Sequence, residues 1–441
     1  MTTDLTRIGR KARKEPALVF TSLYHHICDV DNLRVCYDTL EANKATGVDG
    51  VTKKEYGKNL EENLWQLSDR LRRMGYRPGP KRRSYIPKPG SAKGRPLGIS
   101  NLEDKIVEQA TKRVLEPIYE AVFEDSSYGY RPGRSPHQCL DALGRTLQQK
   151  RVSRVVEADI RSFFDTVNHE WMVKFLRHRI GDERVLRLVI RMLNSGIMED
   201  GLVRATESGT PQGSILSPLL SNIYLHYVLD LWFSRRVRRQ CQGEAYYFRF
   251  ADDFLACFQY KGEAERFRQR LEDRLEGFGL KLAEEKTNCI EFGRFARENA
   301  YKQGEKPQEF TFLGFTHYCG KTREGYFKVK RRTSRKKLGQ SLRRFSDWAR
   351  KARNVLRKGE MLRLARSRVV GHLSYYAITD NTDRCRFYVH RTERILFKWL
   401  NRKSQRRAYT WETYVRTLAR IGWPTSKIRV DLNPCRRAEA R

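Results

Sequence analysis

No stretch of this 441-residue chain approaches the ~20 consecutive apolar residues that a membrane-spanning helix requires. The N-terminal MTTDLTRIGRKARKEP also lacks the apolar core of a signal peptide. A cytoplasmic protein without a membrane partner is expected. Nine cysteines stand at positions 28, 36, 139, 241, 257, 289, 319, 385 and 435, and no two have CxxC spacing. A zinc ribbon or a zinc-supported nuclease module is therefore not expected, and the odd number argues for free thiols. Repeats of solenoid period and low-complexity tracts are missing too. Acidic residues are scarce beside basic ones: 52 Asp+Glu face 88 Lys+Arg, a net charge of +36. Such charge opposes compaction unless a polyanion neutralises it. Nucleic acid is the first candidate, and an anionic membrane surface is the alternative.

What is present is unevenly spread. Residues 321–441 hold 35 Lys+Arg and 9 Asp+Glu, a net of +26, whereas residues 1–320 hold 53 and 43, a net of +10. The C-terminal quarter is thus the main polyanion-binding candidate, against the plainer reading of a solvated basic surface. The length allows two or three domains. Residues 17–75 read as helical, interrupted by the turn signal TGVDG. KRRSYIPKPGSAKGRPLGIS, 81–100, reads as a basic β-hairpin. EDKIVEQATKRVLEPIYEAVF has helical period, and RVVEADI reads as a strand ending near Asp159. Helices are expected over HEWMVKFLRHRI, ERVLRLVIRML, LLSNIYLHYVLDLWF and 263–277. After about residue 330 the pattern is helical throughout. Leu338, Leu342, Phe345, Trp348, Ala352 and Leu356 mark the packing face, and arginines and lysines fill the others.

One short stretch raises a chemical question. FRFADDFLACF, 248–258, sets Asp252 and Asp253 side by side between apolar runs, where two carboxylates repel and cost desolvation energy. Chance or a polar turn would explain the pair blandly. A divalent metal site would explain it by cancelling the repulsion. YYFRF and FLACF flank only Ala-Asp-Asp, so strand, tight turn and strand fit. Two-metal phosphoryl transfer needs carboxylates on rigid elements. Asp159 at a strand end and the Asp252/Asp253 turn meet this need if their strands are neighbours. One Mg²⁺ ion would then activate a primer 3′-hydroxyl, and a second would hold the triphosphate.

The ordered motifs resemble a reverse transcriptase, most closely the group II intron reverse transcriptase/maturase family. They are GVDG at 47–50, IPKPGSAKGRPLGI at 86–99, SYGYRPGRSPHQCL at 127–140 and EADIRSFFDTVNH at 157–169. GTPQGSILSPLLSNIYLHYVLD at 209–230, RFADDF at 249–254, LKLAEEKT at 280–287 and FLGF at 312–315 continue the set. The resemblance implies an α+β right-hand polymerase: an N-terminal helical extension of the fingers over 1–80, fingers and palm with antiparallel sheet over 81–325, and an all-helical thumb or X domain over 326–441. Phe250 stands where the family usually has Tyr.

The resemblance further implies a role for single residues. Asp159, Asp252 and Asp253 match the catalytic, metal-binding aspartates, with Ile160 beside them at the metal and substrate, and two Mg²⁺ ions as cofactor. Phe164 matches the bulky residue that excludes a ribose 2′-hydroxyl, with the adjacent Phe163 and a core role as alternatives. Arg95 matches the fingers arginine on the incoming triphosphate, assisted by Lys88 or Lys93. Gln212 of the Pro-Gln-Gly loop supports the template and nascent pair, and Lys286 matches a palm lysine near the phosphates. Phe312, Leu313 and Gly314 resemble the primer grip. Arg343, Arg344, Arg350 and Lys351 are the candidate RNA contacts, because maturase activity needs basic helices that neutralise an RNA backbone. The expected partners are an RNA template, intron RNA, a DNA primer or target, and deoxynucleotides, in a bacterial cytoplasm or nucleoid. The sequence ends soon after IRVDL, so the endonuclease of many relatives is not expected. Three rivals remain: an RNA-binding maturase with dead polymerase chemistry, a domesticated reverse transcriptase of DNA repair or phage defence, and an RNA-dependent RNA polymerase. The intact aspartates argue against the first, and Phe164 with the Pro-Gln-Gly motif argues against the last.

Overall fold

A computed structural model describes residues 5–87, 94–199, 201–204, 208–210, 213–402 and 408–434. Its strands are β1 (Lys81–Ile86), β2 (Arg95–Ile99), β3 (Arg154–Asp159), β4 (Ile197–Glu199), β5 (Leu202–Arg204) and β6 (Ala245–Phe250), followed by β7 (Asp253–Phe258), β8 (Asn288–Glu291), β9 (Phe310–Phe312), β10 (Phe315–Lys321) and β11 (Phe327–Thr333). Helices occupy most of the remainder, so the α+β expectation holds. The chain divides into two compact units. One is Met1–Ser135 with Val156–Ala256 and Gly262–Asn288; the other is Pro136–Val155 with Cys257–Lys261 and Cys289–Arg441. Among the described residues, no helix is long and apolar enough to cross a membrane, and the cysteines are free.

The first unit is built round helix Leu102–Glu120. Its Ile106, Val107, Ala110, Val114, Leu115 and Ile118 are fully buried, and helices Leu5–Lys14, Tyr24–Cys28 and Val30–Thr39 pack on it. The expected basic hairpin is present: β1 and β2 pair antiparallel, Arg82 opposite Ile99 and Ile86 opposite Arg95. Two strands with no periodic signal of their own extend it to the order β2-β1-β4-β5. A buried ion pair ties this sheet to the central helix. Lys81 Nζ lies 3.0 Å from Glu108 Oε1, Ser100 Oγ donates to the same oxygen at 3.0 Å, and the Ile215 N–H donates to Glu108 Oε2 at 2.9 Å. The apolar helix that starts at Ser217 continues to Gln240 through two π-helical stretches, His226–Asp230 and Phe233–Val237.

In the second unit, helices Arg335–Val355, Lys358–Tyr376, Thr382–Leu400 and Trp411–Arg420 share a core of Phe345, Ala349, Met361, Val369, Leu396 and Tyr414. The sheet β11-β10-β9 belongs to the same unit. The all-helical stretch expected from residue 326 instead begins at Arg335. The reason is the alternation Val329, Arg331, Thr333 on the buried face of β11, with Lys328, Lys330 and Arg332 between them. That period of two fits a strand. The third sheet has the order β6-β7-β3-β8.

Candidate active site

The hairpin β6–β7 explains the Asp-Asp pair. Every residue of β7 after Asp253 is buried, while Asp253 itself is exposed and Asp252 half-buried. Ala251 and Asp252 form the turn between the strands, and Ala251 takes φ +58°. A side chain in that left-handed region costs roughly 1–2 kcal/mol, so the surroundings must impose it. Two contacts do. Residues Ser126–Gly129 run alongside β6: the Arg249 N–H donates to Ser126 O and the Tyr128 N–H to Arg249 O, both at 2.9 Å. A Cβ on Gly129 would collide with the main-chain nitrogen of Ala251, so only glycine permits the approach.

The second contact is a fully buried charge network. Arg249 Nε and Nη2 form a fork on Asp230, at 2.7 and 2.6 Å, with both side chains 0 % exposed. Arg249 Nη1 donates to Asn222 Oδ1 at 2.9 Å and to the Ala251 carbonyl at 3.1 Å. Asn222 Nδ2 in turn donates to Gly129 O at 2.7 Å. Burial alone would lower the Arg249 pKa, but the Asp230 carboxylate outweighs it and raises it. Sequence reasoning missed this network. Its signal was one arginine inside the apolar run YYFRF and one aspartate inside LLSNIYLHYVLDLWF, each needing a partner.

Asp159 ends β3, the neighbour of β7. The Ser153 N–H, just before β3, donates to the carbonyl of Phe258, the last residue of β7, at 2.9 Å. The two strands therefore run in opposite directions, and Asp159 comes level with the start of β7, where Asp253 stands. Lys286 marks the convergence: its ammonium donates to Asp159 Oδ2. That hydrogen bond raises the Lys286 pKa, and the charges of Glu285 and Asp253 add to the effect. Beyond Asp159 the chain turns through Ser162 at φ +47°. Phe163 then enters the core, 2 % exposed and edge-on to Tyr224, whereas Phe164 stays half-buried. The Phe164 carbonyl accepts the Thr210 N–H at 2.7 Å, and the Gly209 N–H donates to Val167 O at 2.8 Å. This straps the start of the Gly-Thr-Pro-Gln-Gly loop beside the Asp159 turn.

The remaining predicted residues divide as follows. Ile160 is buried, so what it offers is main chain; it bridges Leu282. Arg95 opens β2 opposite Ile86. Lys88, Lys93 and Gln212 lie outside the described residues; Gly213, just after Gln212, has φ +109° and faces the Gly98 carbonyl. In the second unit, Phe312 pairs with Phe315 across a two-residue turn of Leu313 (φ +48°) and Gly314 (φ +82°). Tyr375 Oη donates to the Leu313 carbonyl at 2.8 Å. Arg343, Arg344, Arg350 and Lys351 are all exposed on helix Arg335–Val355.

Among the described residues, no group of three or more His, Cys, Asp or Glu is gathered as a metal-holding set. The donors at the ends of β3 and β7 are nevertheless hard carboxylate oxygens, and a cation, the Lys286 ammonium, already sits on one of them. They suit an ion such as Mg²⁺, which takes one or two carboxylates and completes its shell with substrate phosphates.

Comparisons with known proteins bear on the same residues. Residues 86–317 match the family model described as reverse transcriptase (RNA-dependent DNA polymerase). Group II intron-encoded protein LtrA of Lactococcus lactis subsp. cremoris is 38% identical over 231 residues, 52% of this chain and 38% of LtrA. Protein YkfC of Escherichia coli (strain K12) is 38% identical over 271 residues, 55% of this chain and 71% of YkfC. Nuclear intron maturase 1, mitochondrial, of Arabidopsis thaliana is 27% identical over 150 residues, 30% of this chain and 20% of that protein. The chain thus spans less than half the length of LtrA and most of that of YkfC.

Proposed function

Because this chain belongs to the reverse transcriptase (RNA-dependent DNA polymerase) family and has group II intron-encoded relatives, we propose that it copies RNA into DNA and also acts as a maturase, binding intron RNA and assisting its splicing and mobility. The observation that carries the polymerase reading is the Asp252 turn, forced into a strained conformation by Gly129 and Arg249 and set level with Asp159. Strain that the surroundings over-determine is characteristic of functional sites.

In this reading residues 1–80 extend the fingers, 81–325 form fingers and palm, and 326–441 form the thumb of a right hand. Asp159, Asp252 and Asp253 would hold two Mg²⁺ ions, with Ile160 contributing main chain. When bound, the ions supply positive charge to the primer 3′-hydroxyl and the departing pyrophosphate. Lys286 would turn from Asp159 to the triphosphate of the incoming deoxynucleotide, joined there by Arg95. Phe164, held by its carbonyl to Thr210, would press on the sugar and reject a 2′-hydroxyl. Gln212 would support the template pair. Phe312, Leu313 and Gly314 would grip the primer end, and the exposed arginines of helix Arg335–Val355 would take RNA phosphates. The bacterial relatives support a bacterial cytoplasm or nucleoid as the location. The test is primer extension on an RNA template with Mg²⁺. Asp252→Ala should lower the rate by more than about a thousandfold, equivalent to roughly 4 kcal/mol of barrier, and leave the melting curve in place. Undiminished extension would remove the assignment.

A further inference from the structure

The second unit holds a pocket that the polymerase reading does not use. Its volume is about 660 Å³, within the ~300–1,000 Å³ of small-molecule sites. Lys150, Arg151, Arg154 and Arg294 line it, and Glu291 is the one carboxylate in the lining. That carboxylate is neutralised within the wall: it pairs with Arg154 at 3.1 Å and accepts from Asn299 Nδ2 at 2.7 Å. Two large aromatic faces, Phe295 at 69 % exposure and Tyr260 at 49 %, stand at the same pocket.

The frame is rigid. Ser153 N–H donates to Phe258 O at 2.9 Å, Phe292 N–H to Ser153 O at 3.0 Å, and Ser153 Oγ to Gln259 O at 2.6 Å. Gly293, at φ +145°, lets its loop lie on the Val152 carbonyl, where a Cβ would collide. Arg154 opens β3 and Gln259 follows β7, so the pocket is built at the ends of strands.

Exposed aromatic faces interleaved with cations are the means by which proteins hold unpaired nucleotides: the base stacks and the phosphates meet the charges. A duplex offers its bases only edge-on and does not suit a pocket with aromatic walls. We propose that this pocket takes an unstacked nucleotide of a single-stranded polynucleotide, its base against Phe295 and Tyr260 and its phosphates on Lys150 and Arg294. The proposal rests on the reading of the chain as a nucleic-acid-binding polymerase. Two strands supply this chemistry, the RNA being bound or copied and a displaced DNA strand.

The experiment uses the full chain and tetranucleotides carrying one 5-iodouridine, as RNA and as DNA, with photo-adducts mapped by mass spectrometry. Adducts on Tyr260 or Phe295 are expected. RNA adducts assign the pocket to RNA, and DNA adducts assign it to the displaced strand. In Phe295→Ala the half-saturating concentration for the Tyr260 adduct should rise between about fivefold and a hundredfold. In Lys150→Ala/Arg294→Ala the salt slope of adduct formation should fall by about 1.4. Both variants should extend a primer as the wild type does. Adducts confined to other segments, unchanged half-saturation in both variants, or loss of the Tyr260 adduct to hexaglutamate as readily as to an unlabelled tetranucleotide would overturn the proposal. Primer extension on the same samples separates the two readings: its absence in the wild type removes the polymerase, while adducts at Tyr260 still support the pocket.

Discussion

The Arg249–Asp230 pair offers a quantitative test of how the candidate site is held. Arg249→Met would remove four hydrogen bonds: two to Asp230, one to Asn222 and one to the Ala251 carbonyl. It would also leave a carboxylate with 0 % side-chain exposure without its counter-charge. Breaking one side of such a buried pair costs about 3–5 kcal/mol, a large part of the ~5–15 kcal/mol that holds a folded protein. Replacing both charges by apolar groups is often neutral, so Arg249→Met/Asp230→Leu should regain most of that loss in equilibrium urea unfolding. Activity should not return with it. The Ala251 carbonyl and Asn222 still lack their donor, and of the two contacts that impose the roughly 1–2 kcal/mol of left-handed strain at Ala251 only the backbone pairing with Ser126–Gly129 is left. The double variant should therefore unfold near the wild-type midpoint and extend primers at least tenfold more slowly at saturating deoxynucleotide. A double variant that is both stable and fully active would refute the claim that Arg249 positions the turn. Arg249→Met at wild-type stability would refute the energetic argument.

Phe164→Val should raise ribonucleotide incorporation in single-addition kinetics. Phe163→Ala should instead cost about 3–5 kcal/mol of stability, because its ring is 2 % exposed, and leave the sugar preference unchanged. Neutralising Arg343, Arg344, Arg350 and Lys351 together should weaken RNA binding and reduce its salt slope by roughly one unit for each phosphate left without its cation. Single-nucleotide addition at saturating template should survive. Burial pushes His226 down to about 4; Asp230 opposes the shift, and Arg249, Arg235 and Arg131 reinforce it. A depressed folded pKa gives stability that is whole above the unfolded value of about 6.5 and lost as pH falls toward 4. At pH 5 the loss should be about 2 kcal/mol. Asp104, pushed up to about 6 chiefly by burial, acts in the opposite sense. The check is therefore the stability lost between pH 7 and pH 5, which should be smaller in His226→Gln than in the wild type by about that amount.

Much of the site was legible because it is local. YYFRF and FLACF alternate or run apolar around two turn residues, which leaves a hairpin as the natural solution, and Asp159 ends a strand of the same kind. The sequence could not choose between Phe163 and Phe164. Their burial separates them, since the side chain facing Tyr224 belongs to the core and the other stays half-buried. The Arg249–Asp230 pairing was illegible for another reason. Each charge interrupts an apolar run, and only tertiary contact shows that the two interruptions cancel. Charge counting misled in one place. Arg331 was counted with the polyanion-binding surface, yet it is 2 % exposed and donates to the Leu432 carbonyl at 3.1 Å. The short strands β4 and β5 have three residues each, too few to show a period of two, and β4 is placed by pairing with Lys81 and Arg82.

The π-helical stretch His226–Asp230 makes length an adjustable quantity in its helix. A π turn holds an extra residue relative to an α turn, and each residue of an α-helix turns the side chains by about 100°. Removal of one residue between Asn222 and Asp230 would let the helix relax to regular winding. Because the π turn is what takes up the extra residue, that relaxation would leave the Asp230 carboxylate on roughly its present bearing toward Arg249, as Asn222 keeps its own. Over evolutionary drift this helix can therefore lose one codon between Asn222 and Asp230 without parting Arg249 from its carboxylate, and a one-residue alignment gap there would mark regular winding rather than an Asp-Asp turn held by different means.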